Sequence, residues 1–226
     1  NVKKDKIAEL PDPVERKSSG SYYTPKEIVG YVVKIALEPH ISRIMKENLD
    51  PLIQVEKILS LKILDPAMGS GHFLVGVVEY IATRICEIEF GEVSEEEYIE
   101  KKRDVVRRCI YGVDINPLAV DLAKLSLWLE TISSTKPLSF LSAHLKSGSS
   151  LTGTPIEQVF DAQQSLLENK SRLFFQKTVK EFLGFESMED DSASAVRSKV
   201  EKYEKMLGRD STYYQLKGLL DTKLAN

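Results

Sequence analysis

The 226-residue sequence predicts an α/β fold, an open parallel sheet with helical extensions at both ends. Three observations predict it. Two short apolar runs end on an aspartate, at Asp65 and at Asp114. Each is followed by a turn, through Gly69 and Gly71 in one case and Asn116-Pro117 in the other. Apolar residues at helical spacing come after each turn. Strands that alternate with helical stretches of this length pair in parallel through crossover helices.

In chain order, residues 1–20 are polar, interrupted by Pro11, Pro13 and Gly20, and read as an arm or linker. Thr24-Pro25-Lys26-Glu27 predicts a helix start, with Thr24 as N-cap, Pro25 at the first helical position and Glu27 three residues after the cap. Ile28, Val32, Ile35 and Ala36 form its apolar face, and a second helical stretch covers residues 41–58 with a break near Pro51. Residues 61–64 read as a buried strand, and Phe73, Leu74, Val77, Val78, Ile81, Ile85 and Ile88 as one amphipathic helix. Residues 95–108 form a charged helix and residues 109–113 a second strand. Asn116 caps and Pro117 opens the next helix, with Leu118, Leu122, Leu125 and Leu129 on one face and Trp128 beside them in the core. Residues 139–145 are the third expected strand. Beyond Gly153 the pattern is helical: Phe160, Leu167, Phe174 and Phe182, then an acidic Ser-rich loop at 186–194, then Val196, Val200, Tyr203 and Leu207 stopped by Gly208, then Leu216, Leu220 and Leu224. The expected division is 1–20 arm, 21–155 core and 156–226 helical extension.

Composition narrows the class. Hydrophobic residues at 42% supply a core, and charged residues at 29% suit an aqueous surface. No apolar run reaches membrane-spanning length, and Asn1–Lys6 lacks the apolar centre of a secretory signal. Cys86 and Cys109 make no CxxC, so the expected setting is a reducing cytoplasm without disulfides. His40 and His144 have no ligand pattern around them, so no metal is expected. The net charge of −3 argues against a dedicated nucleic-acid clamp. Lys101, Lys102, Arg103, Arg107 and Arg108 are the densest basic cluster and read as a solvated helix face. The chain starts at Asn1, which suggests a piece of a longer protein.

The most informative segment is residues 65–73, Asp-Pro-Ala-Met-Gly-Ser-Gly-His-Phe. It follows a strand and precedes a helix, the place where open α/β sheets bind ligands. Its glycines permit a sharp turn, and the helix start offers free N–H groups to an anion. The third glycine of GxGxxG is missing, as is the Gly-Lys-Ser/Thr of a phosphate loop, and the segment has no Lys or Arg. A polyphosphate is therefore poorly served. S-adenosylmethionine (SAM) has a carboxylate, an ammonium and a sulfonium but no phosphate, and an acidic residue suits its cationic end. At about 4 Å and an effective dielectric near 20, that attraction is on the order of 4 kcal/mol before desolvation. On the glycines alone, a structural turn fits as well.

Three motifs in order carry a resemblance. The first is Arg16-Lys17-Ser18-Ser19-Gly20-Ser21-Tyr22-Tyr23-Thr24-Pro25. The second is Ile63-Leu64 followed by residues 65–73 and Leu74, and the third is Ile110-Tyr111-Gly112-Val113-Asp114-Ile115-Asn116-Pro117. Together they resemble the adenine-N6 DNA methyltransferases of restriction–modification and phage-defence systems, over roughly residues 15–155. The resemblance implies a partial Rossmann-like SAM-dependent methyltransferase fold. It implies SAM as cofactor, DNA as substrate and other restriction or defence subunits as partners. By the same resemblance Tyr23, Thr24 and Pro25 close over the methionine moiety. Asp65 holds the charged amino-acid end, Ala67, Gly69 and Gly71 bring the backbone close to the cofactor, and Pro66 and Phe73 are cofactor-binding residues of the same loop. Asp114 accepts the ribose hydroxyls and Ile115 flanks the adenine.

Two departures qualify it. Ser149, in Lys146-Ser147-Gly148-Ser149, stands where the family places an acidic residue or Asn against the adenine amine. The family's catalytic Asn/Asp-Pro-Pro-aromatic motif is missing, since no two of the nine prolines are adjacent. Family order places that motif beyond Asn226, so this chain reads as the SAM-binding part of a longer enzyme, inactive alone. The alternatives are a non-catalytic subunit that keeps the fold, or a SAM-dependent enzyme acting on RNA or protein.

Overall fold

The computed structural model describes residues 24–47, 49–89, 93–152, 167–186, 188, 190–215 and 217–218. The calls on Tyr22, Tyr23, Phe160, Leu216, Leu220, Leu224 and residues 1–20 lie outside these, as do the side chains of Leu167 and Phe174. The element order is α1 (Lys26–Lys46), α2 (Pro51–Leu59), β1 (Ile63–Asp65), α3 (His72–Glu89), α4 (Glu95–Cys109), β2 (Ile110–Asp114), α5 (Pro117–Glu130), β3 (Leu145–Ser147), α6 (Leu167–Glu186) and α7 (Ala193–Leu207).

The three strands form one parallel sheet in the order β1-β2-β3. Ile63 is opposite Ile110, Asp65 opposite Gly112, and Asp114 opposite Ser147. This is a small open parallel sheet in a mostly helical chain, as in a partial Rossmann-like methyltransferase fold. α3 is the hub of the helical layer: its Leu74, Val78, Ile81 and Ile85 are fully buried among Ile41, Ile58, Val105, Val106, Ile110 and Leu127. Each such side chain contributes about 1.5–3 kcal/mol by leaving water. α4 is closed at its start by a reciprocal cap, in which Ser94 Oγ accepts from the Glu97 N–H and Glu97 accepts from the Ser94 N–H.

The structure moves several expected boundaries. Thr24 does not cap α1; Pro25 is the N-cap residue, no side chain completes the cap, and the Pro25 carbonyl accepts from Ile28 and Val29. α1 runs unbroken through Pro39 to Lys46, because Val29, Val33, Leu37, Ile41 and Ile44 form one continuous buried row. That row, and not Ile28, Val32, Ile35 and Ala36, faces the core. α1 is apolar on two sides, and the close approach of Val29 to Gly76 selects one of them: a Cβ on Gly76 would lie 2.8 Å from Val29 Cγ1. In β1, Leu64 is exposed rather than buried, and among the described residues no strand pairs beyond β1. The third strand is Leu145–Ser147, not 139–145. The backbone groups before it are engaged elsewhere: the Ser139 carbonyl accepts from Trp128 Nε1 at 2.8 Å, and the Phe140 N–H donates to Asp190 at 3.2 Å. Trp128 is half-buried and packs against the core as expected.

The basic cluster on α4 is structural rather than solvated. Arg103 is buried and donates to the carbonyls of Thr131 and Pro137. Lys101 pairs with Glu89, Lys102 with Glu130 and Arg108 with Glu56. Arg107 reaches Asp104, Asp190 and Asp191 at 2.8–2.9 Å. Asp190 belongs to the stretch expected as an acidic loop, yet it is fully buried. Its contacts with Arg107 and Phe140 tie the tail to the sheet. Phe185, Tyr203 and Met206 form a second apolar cluster around Phe140, whose ring meets Phe185 and Tyr203 edge-on. Tyr203 donates to the Ser142 carbonyl at 2.9 Å and is itself hydrogen-bonded by Lys146.

Removing Arg107 leaves the Asp190 carboxylate buried without its cation. Arg107→Met is expected to destabilise the chain by about 3 kcal/mol in denaturant titration, and adding Asp190→Asn is expected to recover most of that loss. A single variant as stable as the parent would refute the anchoring role.

Candidate functional site

The site grows from the way residues 65–71 cross the end of β2. The Met68 N–H donates to the Val113 carbonyl at 3.0 Å, and the Met68 side chain is buried beneath the turn. It fits only because residue 112 has no side chain: a Cβ there would lie 2.2 Å from Met68 Sδ. Gly69 and Gly71 adopt φ of +55° and +80°, a region that favours glycine. Gly71 also faces α5, where a Cβ would lie 3.0 Å from Ala123 Cβ. The Gly71 carbonyl then accepts from Val75 at 2.9 Å, as α3 begins.

Two carboxylates hold this turn. Asp65, ending β1, accepts from the Ala67 N–H at 3.0 Å. Asp114, ending β2, accepts from Gly69 with one oxygen and from Asn116 with the other, each at 2.8 Å. Asn116 accepts from Leu118 at 3.0 Å and so caps α5 as expected. The third strand joins through Gly148, whose N–H donates to the Asp114 carbonyl at 2.9 Å, and through Ser150, whose hydroxyl bonds the Pro66 carbonyl. Ser149 Oγ accepts from the N–H groups of Leu151 and Thr152 and shapes the next turn.

The three strand ends thus converge, and with them Asp65, Pro66, Ala67, Gly69, Gly71, Asp114, Ile115 and Ser149. Pro66, Ala67 and Ser149 are exposed, and Ile115 is 74% exposed. Phe73 is half-buried, packed against the core from the first turn of α3. Thr24 and Pro25 stand at the N-terminal end of α1, and among the described residues no hydrogen bond ties them to the loop. Met68 and Gly112 were not singled out from the sequence. A glycine inside a strand signals close backbone or side-chain approach, and that signal was present at Gly112.

The site's electrostatics are one-sided. Burial raises the Asp65 carboxyl pKa and the nearby Asp114 charge adds to it, while the Ala67 hydrogen bond pulls the other way. A cation at this rim would relieve the like-charge pair. Glycine backbone, two carboxylates and the start of a helix thus form a rim whose electrostatics favour a cationic group.

Other candidates are accounted for by packing. The His144 ring stacks on Tyr111 at 4.6 Å, and its Nδ1 is 3.0 Å from the Ile110 carbonyl. Among the described residues no cluster of His, Cys, Asp or Glu could hold a metal ion, and no helix is long and apolar enough to cross a membrane. A cavity of about 840 Å³ lies between α1, α3 and α5, and it shares only His72 with residues 65–73. Its polar walls are matched internally, Lys26 with Glu79 and Arg84 with Glu38 and Glu87.

Comparison with known proteins bears on this arrangement. The N-6 DNA methylase family model matches residues 12–160, and the Eco57I restriction-modification methylase model matches residues 108–213. A putative type II restriction enzyme and methyltransferase of Methanocaldococcus jannaschii is 30% identical over 145 residues, covering 52% of this chain and 12% of its own length. DNA methyltransferase A of Bacillus subtilis is 31% identical over 121 residues, covering 50% of this chain and 13% of its own. The adenine-specific methyltransferase PglX of Streptomyces coelicolor is 27% identical over 92 residues, covering 41% and 7%. The matched stretch therefore spans a small fraction of each relative. The first family model covers both carboxylates, the glycine turn and all three strands, and the chain belongs to the N-6 DNA methylase family.

Proposed function

We propose that this chain binds S-adenosylmethionine at the ends of β1, β2 and β3, as part of an enzyme that methylates adenine N6 in DNA. The observation that carries the reading is the pair Asp65 and Asp114 around a turn of two positive-φ glycines, with the Asp65 carboxyl raised by burial and by its neighbour. Bound there, the cofactor supplies an electrophilic methyl group. Asp65 holds its cationic amino-acid end, with Thr24 and Pro25 closing from the α1 side and Tyr23, outside the described residues, assigned with them on the resemblance alone. Pro66, Ala67, Gly69, Gly71 and Phe73 keep the turn in shape. Asp114 accepts the ribose hydroxyls, Ile115 lies against the adenine ring, and Ser149 hydrogen-bonds its amine. Residues 21–155 form this unit and 156–226 a helical extension.

Extruding the target base and orienting its amine require a polar side chain and an aromatic ring beside the methyl group. The Asn/Asp-Pro-Pro-aromatic arrangement that does this in the family is not in these 226 residues. In this reading those groups, and most DNA contacts, come from outside this chain. The cations of α4 are engaged in ion pairs and carbonyl contacts, which fits that division.

One observation favours a second reading, a scaffold that keeps the fold without the cofactor. Both Asp114 oxygens already accept backbone N–H groups, so Asp114 could serve the loop alone. Each carboxylate oxygen has a second lone pair, however, so capacity for ribose remains. Calorimetric titration of the folded chain with SAM separates the readings. Binding is expected, and Asp114→Ala is expected to weaken it at least tenfold, about 1.4 kcal/mol. A folded chain that binds no SAM would favour the scaffold.

Asp65 gives an independent prediction. Its carboxyl is harder to ionise in the folded chain than in the unfolded one, so ionisation opposes folding as pH rises through that raised value. A bound cation pulls the pKa back down. Affinity for SAM is therefore expected to rise as pH increases above the ordinary aspartate value and through the raised value of the folded chain. Asp65→Asn should flatten that pH profile, weaken binding, and melt no lower than the parent without ligand. A lower melting temperature with unchanged affinity would contradict the assignment.

A further inference from the structure

We infer that the cleft at the end of α7, walled by Lys202, Lys205 and Arg209, holds the phosphate backbone of duplex DNA. The inference rests on the reading that this chain serves a DNA-methylating enzyme. The cations of the chain divide by position. Every Lys and Arg from Lys57 to Lys146 has an ion-pair, carbonyl or hydroxyl partner. Among the described Lys and Arg from Lys177 to Lys217, only Lys199 has one, the Met188 carbonyl among its contacts. Lys202, Lys205 and Arg209 are exposed and line a cleft of about 600 Å³. Cations left unpaired around a concave surface are available to an anion.

Local structure gathers the three. Tyr203 and Met206 are buried, which turns Lys202 and Lys205 outward, one helical turn apart. α7 stops at Gly208, whose carbonyl accepts from the Ser211 N–H at 2.9 Å, and this turn brings Arg209 to the same cleft. Offsetting the helix dipole at this end calls for one cation in the last turn, Lys205, not for three. Two carboxylates also line the cleft, Glu181 and Asp210. Among the described residues neither forms an ion pair with the three cations, and Glu181 accepts from Thr212 Oγ1 at 3.4 Å. Ser211 Oγ accepts from the Tyr214 N–H at 3.1 Å and retains its own proton for an acceptor. Cations beside a neutral donor match phosphodiester oxygens. From Lys202 to Arg209 is on the order of 10 Å at helical rise, about three nucleotides of one strand. Tyr203, on the same helix, bonds the Ser142 carbonyl and Lys146 of β3, so the cleft keeps a fixed position relative to the strand ends. A duplex gripped there is positioned by its backbone without being read for sequence.

Fluorescence anisotropy of a labelled random-sequence duplex with the 226-residue chain tests this, without SAM and over a salt series. Binding is expected at about 50 mM salt and should weaken steeply toward about 200 mM. Lys202→Gln/Lys205→Gln/Arg209→Gln should weaken it about tenfold or more at the lower salt and reduce the slope of log affinity against log salt by about 2–3. Lys202→Gln/Lys205→Gln serves if circular dichroism shows that the triple variant fails to fold. Lys34→Gln/Arg43→Gln/Lys46→Gln removes the same charge from exposed positions of α1 and should leave affinity close to the parent's. Pyrophosphate, with ionic strength held constant by chloride, should not displace the duplex. No duplex binding, an equal loss in the α1 variant or an unchanged salt slope in the triple variant overturns the inference. So does displacement by pyrophosphate, which would assign the cleft to a small phosphate ligand. Calorimetry with SAM reports on the cofactor separately: a parent that binds duplex through these residues but binds no SAM would fail the cofactor reading and keep this one.

Discussion

Met68 seated against Gly112 is the contact on which the rest of the site depends. The strand end and the turn would otherwise be separate features. With Met68 buried over β2, and its N–H bonded to the Val113 carbonyl, the turn is pinned across the sheet end. Gly69 then falls within reach of Asp114, and Gly71 comes against Ala123 of α5. One missing Cβ at residue 112 therefore sets the distance between two strands' carboxylates and the angle at which α3 leaves the loop.

The consequence is a polar rim assembled on an apolar plug. Desolvation raises the Asp65 carboxyl pKa, and the neighbouring Asp114 charge raises it further. Such an arrangement is costly for the empty site and favourable for a cationic ligand, a usual feature of pre-organised binding sites. The same geometry anchors Asp114 twice, through the Gly69 and Asn116 N–H groups, and so fixes the orientation of its carboxylate.

Around this centre the fold is closed on one side and open on the other. The tail is fastened to α4 through Arg107 and Asp190, and to the segment before β3 through Phe140, Asp190 and Tyr203. Among the described residues no strand pairs with the outer edge of β1, Leu64 is exposed, and α1 and α5 each carry an outward apolar row. An edge strand and two-faced helices are features that proteins normally cover.

The sequence by itself determined the strand–turn–helix alternation, the glycine turn and the Asn116 cap, because these rest on local backbone chemistry and on spacing along the chain, and its three motifs carried the resemblance to the family. Tertiary structure decided what local pattern left equal. α1 has two helical rows of apolar residues, and Gly76 opposite Val29 chose between them. The run at 139–145 has strand-like composition, yet Trp128 and Asp190 take its backbone groups, and the ladder starts at Leu145. Charge along α4 reads as a solvated face until the partners 28 to 83 residues away are placed beside it, among them Glu130, Pro137 and Asp190. The site divides the same way. Asp65, Gly69, Gly71 and Asp114 were legible in sequence, since glycine conformation and strand-end carboxylates are local signals. The plug beneath them depends on Met68 and Gly112 meeting across 44 residues, and only the folded chain brings those two together.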